Sequence, residues 1–358
     1  MKKISVCILY GGKSGEHEVS LRSAASVARS LDPSRYALFL IGIDKSGAWF
    51  LQKETSAALQ GSGPLSIADR DSPVSVLPGT GFCARGVRLD IDVVFPVLHG
   101  SFGEDGTVQG LLELCGLPYV GSGVMASSVA MDKVRTKLLW REAGLPVLDF
   151  AVVRKGEPMD AVREAVRSFG YPVCAKPVSC GSSVGVSRVD AEEHLAAALT
   201  SALRWDLRAM VEPFVTAREI ECSVIGNTRP RSFPPGEIVP THAFYDYDAK
   251  YRDPDGARLE APARLPAELA RRVQDTAERA YSVLGCEGMA RVDFFLLKDS
   301  GEAILNEINT IPGFTDISMF PRMCGVSGLP YPKLMDTLVE LALERQKERS
   351  GLLTSFSA

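Results

Sequence analysis

Four polar side chains interrupt two apolar stretches near the C-terminal end. "ARVDFFLL" carries Arg291 and Asp293, two residues apart, and "LNEINTIPG" carries Glu307 and Asn309 at the same spacing. Between them lies the turn "KDSGE". A three-residue hairpin loop at Asp299, Ser300 and Gly301 is expected to pair Lys298 with Glu302. That register sets Asp293 opposite Glu307 and Arg291 opposite Asn309. All four then share one face, because strand side chains alternate. Two facing carboxylates repel, so a cation must offset them. Arg291 is one. Asp293, Glu307 and Asn309 also form an all-oxygen donor set, which suits magnesium shared with phosphate. The spacing predicts a magnesium–nucleotide site on an antiparallel sheet. It also suits an ion-paired patch on the solvent face of a hairpin. The "TIPG" turn after Asn309 favours a site, since Pro-Gly turns bring backbone N–H groups close to a ligand.

A nucleotide needs further cations and donors. "CAKPVSCGSSVGVS", residues 174–187, reads as strand, loop, strand. It is not a P-loop, but Gly181, Ser182 and Ser183 are small enough to bring backbone donors against phosphate. Lys176 ends an apolar strand, where a buried cation needs an anion. An ordinary glycine hairpin with a snorkelling lysine fits the same residues. "GGKSGEHEVS", 11–20, is a glycine-rich strand-to-helix turn without the dinucleotide spacing. Glu16 and Glu18 there suit an ammonium group, or simply the helix dipole. "LHGSFGEDG", 98–106, places His99 at the carboxyl end of a strand, the usual ligand side of such sheets. A turn-capping histidine is the plainer reading. "FYDYDAKYRDPDG", 244–256, reads as a lid or a plain surface loop.

These residues need a scaffold. The chain has 358 residues, enough for two or three domains. The net charge of −4 gives no reason to expect nucleic acid or an anionic membrane as partner. No apolar run is long enough for a bilayer. The opening "MKKISVCILYGG" fits a first strand better than a signal peptide. Eight scattered cysteines read as reduced thiols of a cytoplasmic protein, and four unclustered histidines argue against zinc.

Strand and helix alternate up to about residue 121, predicting a mostly parallel α/β domain. Ser20 is the expected N-cap of its first helix, and Gly116 stops a later one. Residues 55–88, rich in Gly, Ser and Pro, read as a loosely structured insertion. A middle segment, 122–211, carries helices near 128–143, 158–169 and 191–204. The segment 212–345 is α+β, with short turns that imply an antiparallel sheet. The tail from 346 to 358 is expected to fray.

Taken together, "GGKSGEHEVS", "LHGSFGEDGTVQG", "GSGVMASSVAMDKVRTK", "KPVSCGSSVG", "FYDYDAKY", "ARVDFF" and "NEINTIPGFT" resemble the D-alanine–D-alanine ligases in order and approximate spacing. Those enzymes belong to the ATP-grasp superfamily. The resemblance runs from residue 4 to about 343, and the region before "VFPVLHG" is similar to the long-form members. It implies a three-domain ATP-grasp architecture with ATP between the central and C-terminal domains. It also implies ligation of two D-alanines through an acyl phosphate, for peptidoglycan precursor synthesis, and a homodimer.

Residue by residue, the resemblance implies that Asp293, Glu307 and Asn309 hold two magnesium ions, which manganese can replace. Lys133 and Lys176 contact ATP phosphates under the 181–185 loop. Glu212 lies at the adenosine and Glu219 at the ribose. Glu16 orients the first D-alanine, with His99 nearby, and Ser182 links Glu16 to Tyr251. Lys250 reaches the γ-phosphate from the lid. Arg291 and the Gly313 N–H form an oxyanion hole, and Ser318 and the Met319 N–H hold the second carboxylate. Pro213 beside Glu212 lacks an N–H, so an adenine contact there must use a carbonyl or a neighbour.

The rivals are a D-alanine–D-lactate ligase, another carboxylate–amine ligase, a nicotinamide dehydrogenase and a non-catalytic nucleotide-binding regulator. The tyrosine in "DAKY" speaks against the first. The glycine spacing speaks against the dehydrogenase, and the three intact metal ligands against the regulator.

Overall fold

The first strand, β1 (Ile4–Gly11), is β-branched and buried along nearly its whole length, as the central strand of a parallel sheet must be. The computed structural model describes residues 2–53, 61, 63–240, 257–315 and 317–353. After β1 the chain turns at Gly11 and Gly12, both with positive φ. A Cβ on Gly11 would overlap the Ile43 carbonyl oxygen, so only glycine fits there. Helix α1 (His17–Ser30) follows. It begins three residues before the expected cap. Ser20 lies within its first turn, where its hydroxyl accepts from Gly11 N–H at 2.8 Å and donates to the Val97 carbonyl. Its role is to pin the helix to the strand ends.

Strands β2 (Tyr36–Ile43) and β3 (Trp49–Gln52) come next. The region expected to be loosely structured contains β4 (Val74–Leu77), β5 (Gly81–Ala84) and β6 (Val87–Arg88), an antiparallel three-stranded sheet. Phe82 on β5 is fully buried, and its ring meets Trp49 edge-on at 5.5 Å. That anchor explains the order in a Gly/Pro-rich stretch. With β7 (Val93–Val97) the main sheet has the order β3-β2-β1-β7, parallel except for β3. Helix α2 (Thr107–Cys115) ends at Gly116, whose left-handed φ of 67° supports the expected stop.

The single helix expected near 128–143 is two, α3 (Val124–Met131) and α4 (Lys133–Glu142). Asp132 between them is extended, and its carboxylate caps α4 by accepting from Arg135 N–H. A second antiparallel sheet, ordered β10-β9-β11-β8, is built from β8 (Ala151–Arg154), β9 (Val173–Pro177), β10 (Ser187–Val189) and β11 (Arg208–Pro213). Helices α5 (Asp160–Phe169) and α6 (Glu192–Ala202) cover one face with Val162, Val166, Leu195 and Leu199. Strand β11 runs through the expected boundary at 211/212, because Glu212 and Pro213 still pair with β9.

The third sheet contains β12 (Ala217–Gly226), β13 (Arg231–Ser232), β14 (Gly236–Pro240) and β15 (Ala257–Glu260). After helix α7 (Ala267–Val283) come β16 (Gly288–Leu297) and β17 (Ala303–Asn309). Its order is β15-β14-β12-β16-β17, with β13 beside β12. Ala126, Ala130 and Trp140 of α3 and α4 pack in the same core as α7 and β16, and the Trp140 indole donates to Ala280 O at 3.0 Å. By packing, then, these helices belong with the last sheet. Helices α8 (Met319–Val326) and α9 (Tyr331–Ser350) return to the first sheet, where Phe314 meets Phe95 edge-on. The tail does not fray at 346, since α9 continues to Ser350.

Candidate active site

The β16–β17 hairpin sets Arg291 opposite Asn309 and Asp293 opposite Glu307, as the spacing predicts. The route to that register differs from the expected one. Leu297 N–H bonds to Glu302 O, so the loop holds four residues, not three. A β-bulge next to Asp293 absorbs the extra residue, shifting the pairing to Phe294 with Leu305. The bulge leaves Asn306 and Glu307 adjacent and both half-buried. Asn306 Oδ1 lies 3.5 Å from Lys176 Nζ.

Arg291 binds Asp293 through two hydrogen bonds, 2.7 and 2.6 Å, and lies 3.2 Å from Glu221 Oε1. Glu221 on β12 stands opposite Asp293, so Glu221, Asp293 and Glu307 form a row across three strands. Burial works against the Arg291 charge, but Asp293 and Glu221 outweigh it and hold the guanidinium well above its ordinary value. Glu307 takes Lys133 of α4 at 3.4 Å. Asn309 Oδ1 accepts from Ile311 N–H at 3.2 Å. Among the described residues no three His, Cys, Asp or Glu side chains converge on one point. The set here is two carboxylates and a carboxamide, all oxygen, facing two cations. Its chemistry fits a hard divalent metal that would displace Arg291 from Asp293.

The middle sheet and helix α4 supply the opposite wall. Lys176 on β9 and Lys137 on α4 share the buried carboxylate of Glu212 on β11. Lys137 Nζ is 2.9 Å from Glu212 Oε2, and Lys176 bonds to Oε1. Burial alone would raise the Glu212 carboxyl, yet the two lysines, Lys137 first, hold it down to about 2. The carboxylate at the expected adenosine position is therefore turned inward, away from solvent. In the loop after β9, Ser182 and Ser183 take left-handed φ values of 53° and 57°. Cys180 O accepts from Lys133 Nζ at 2.7 Å, and the Ser182 hydroxyl donates to Glu16.

His99 is buried and spends both ring nitrogens on the protein, Nδ1 beside Ile311 O at 3.0 Å and Nε2 beside Ser23 Oγ at 3.2 Å. Glu104 joins the same loop to the end of β17, accepting from Gly100 N–H at 2.6 Å and Ile311 N–H at 3.3 Å. Gly313 lies against Ser318, since an added Cβ would stand 3.0 Å from its Oγ. Ser318 Oγ accepts from Thr315 N–H at 3.1 Å, and Met319 opens α8. Glu219 pairs in register with Ile238 and Phe295. Lys250, Tyr251 and the rest of the 244–256 stretch lie outside the described residues.

Sequence reasoning missed Lys137, Glu221 and Glu104. Helical spacing could have found the first, because Lys133 and Lys137 are one turn apart. Strand alternation could have found the second, two residues after Glu219. Glu104 carries no such signal.

Two antiparallel sheets that oppose lysines to a carboxylate row, beside a parallel α/β unit, define an ATP-grasp enzyme. Family models described as D-ala D-ala ligase N-terminus and C-terminus match residues 5–122 and 139–340. The D-alanine–D-alanine ligase of Treponema denticola is 45% identical, over 98% of this chain and 99% of that protein. The solved D-alanine-D-alanine ligase of Coxiella burnetii has a TM-score of 0.86 at 37% identity, covering 98% of this chain and 97% of that one. The VanG D-Ala:D-Ser ligase of Enterococcus faecalis also superposes at 0.86, with 35% identity, 95% of this chain and 100% of that one. The chain belongs to the D-alanine–D-alanine ligase family.

Proposed function

We propose that this protein joins two D-alanine molecules into D-alanyl-D-alanine at the expense of ATP, supplying peptidoglycan precursor synthesis. The observation that carries the reading is the hairpin face: Arg291, Asp293, Glu307 and Asn309 together, with Lys133 reaching across to Glu307. Lys133 and Lys176 hold the phosphates, and the 181–185 loop closes over them. Glu212 anchors Lys176 together with Lys137, leaving adenosine contacts to backbone beside it, and Glu219 meets the ribose.

Asp293, Glu307 and Asn309 would hold the divalent metal, read as two magnesium ions that manganese can replace, which draws charge off the phosphate chain. Glu16, held by Ser182, orients the ammonium of the first D-alanine. His99 supports that pocket through Ile311. The first carboxylate oxygen attacks the γ-phosphorus, an O–P bond forms and ADP leaves with the bridging oxygen. Here the lysines position and neutralise charge. The amine of the second D-alanine, oriented through its carboxylate by Ser318 and the Met319 N–H, then attacks the acyl carbon. Negative charge on the carbonyl oxygen meets Arg291 and the Gly313 N–H. The C–O bond breaks, and phosphate departs with the oxygen of the first carboxylate and takes up the proton that the amine nitrogen loses. Lys250 and Tyr251 complete the site from the lid.

We assign the protein to the cytoplasm and to a homodimer, with D-alanine and ATP as its substrates and no nucleic acid or membrane partner. Among the described residues no helix is long and apolar enough to cross a membrane. The test is oxygen transfer. D-alanine labelled with ¹⁸O in its carboxylate should deliver one label to inorganic phosphate per dipeptide. Unlabelled phosphate alongside dipeptide would remove the acyl phosphate.

A further inference from the structure

Lys137 is wholly enclosed, with 0% exposure, while its neighbours Lys133 and Lys176, though buried, each keep a small exposed fraction. It stands one helical turn after Lys133 on α4, so both ammonium groups leave the same face of that helix. Lys133 extends to the Cys180 carbonyl and to Glu307. Lys137 stays behind and meets Glu212. Among the described residues, Glu212 is the one carboxylate within ion-pairing distance of Lys137. Glu212 gives its second oxygen to Lys176.

Burial pushes the Lys137 ammonium down and Glu212 holds it up. With both lysines charged, two ammonium groups share one buried carboxylate, and the trio carries one positive charge more than it balances. Enclosing such a charge is costly until an anion arrives. Of the three, Lys176 is the least enclosed, and it also approaches Asn306 on the hairpin face. Remove Lys137, and Lys176 and Glu212 become a neutral pair with nothing to spare for phosphate. We infer that Lys137 is a positioning residue for nucleotide binding. It balances Glu212 from the core side, and so leaves the charge of Lys176 to the phosphate chain.

This inference rests on the nucleotide site proposed above. It is tested by calorimetric titration of the full chain with ADP in magnesium buffer. Lys137→Met should weaken ADP binding about 10- to 100-fold, the range of one charge-assisted hydrogen bond. Adding Glu212→Gln removes one negative charge as well, restores the single net positive charge, and should recover most of that loss. A purely structural role for Lys137 would lower the melting temperature of both variants without moving the ADP affinity of the folded protein. Wild-type ADP affinity in folded Lys137→Met, or a double variant as weak as the single one, overturns the inference. Should Lys137→Met fail to fold, the double variant carries the test against wild type. Affinity close to wild type supports the inference, and a loss of about tenfold or more overturns it. Failure of the wild type to bind ADP would overturn the nucleotide site itself.

Discussion

The Ser182 hydroxyl donates to the Glu16 carboxylate, joining the loop after β9 to the turn after β1 across 166 residues of chain. The contact brings the proposed phosphate loop and the proposed ammonium site under one hydrogen bond. Ser182 also holds a left-handed φ of 53°, which glycine would hold with less strain. Ser182→Ala and Ser182→Gly should therefore both raise the KM for D-alanine, by about tenfold for the loss of one charged hydrogen bond. If Ser182→Gly keeps the wild-type KM while Ser182→Ala does not, backbone shape matters and the hydrogen bond does not.

Arg291 answers to three carboxylates in a row and, in the proposed reaction, to the oxyanion. Arg291→Ala should lower kcat by about 10²–10³ while ADP still binds. It should also lower the melting temperature of the metal-free protein, because Asp293 and Glu221 lose their shared cation. Magnesium should restore part of that loss. Turnover near wild type would take Arg291 out of the chemistry.

Gly100 has a φ of +74°, and an added Cβ would stand 2.6 Å from Glu16 Oε2. Gly100→Ala must displace the Glu16 carboxylate from its present position and strain the backbone at a left-handed φ. The expected result is a higher KM for D-alanine with ADP affinity unchanged, read by steady-state kinetics and titration. An unchanged KM would show that the position of Glu16 is not set from this side.

Glu212 sets a pH dependence. Its carboxyl is held down to about 2 in the fold, against an ordinary value of 4.5. A depressed carboxyl contributes stability that is complete above the unfolded value and lost as pH falls through the folded one. The wild type should therefore be more stable than Glu212→Gln at pH 7, and the gap should shrink between pH 4.5 and about 2. Urea unfolding of both proteins at several pH values measures it. A gap independent of pH would mean that Glu212 is not the charged partner of the two lysines.

Much of the site could be read from local spacing. Arg291 with Asp293, and Glu307 with Asn309, were legible because strands alternate with period two and the hairpin turn is short. The register held although the loop is a residue longer than expected, because the bulge at Asn306 cancels the error. Neither feature leaves a separate mark in the sequence. Contacts between distant elements were not legible. Lys137 with Glu212, Glu221 with Arg291 and Glu104 with Ile311 depend on how sheets face one another. The same limit applies to packing: Ala126, Ala130 and Trp140 read as part of the middle segment, yet they pack against the last sheet. Order in β4 to β6 was hidden because one buried ring, Phe82, holds a stretch whose composition signals loop.

Mass identification of the product most directly tests the account. The protein is supplied with ATP and magnesium, and D-alanine is offered alone or with D-serine or D-lactate. ADP release with D-alanine alone, giving D-alanyl-D-alanine, is the predicted result, with the dipeptide still dominant in both mixtures. Product formed only when D-serine or D-lactate is present would contradict the assignment of the second substrate. No ADP release from folded, ADP-binding protein with any of the three would contradict ligation altogether.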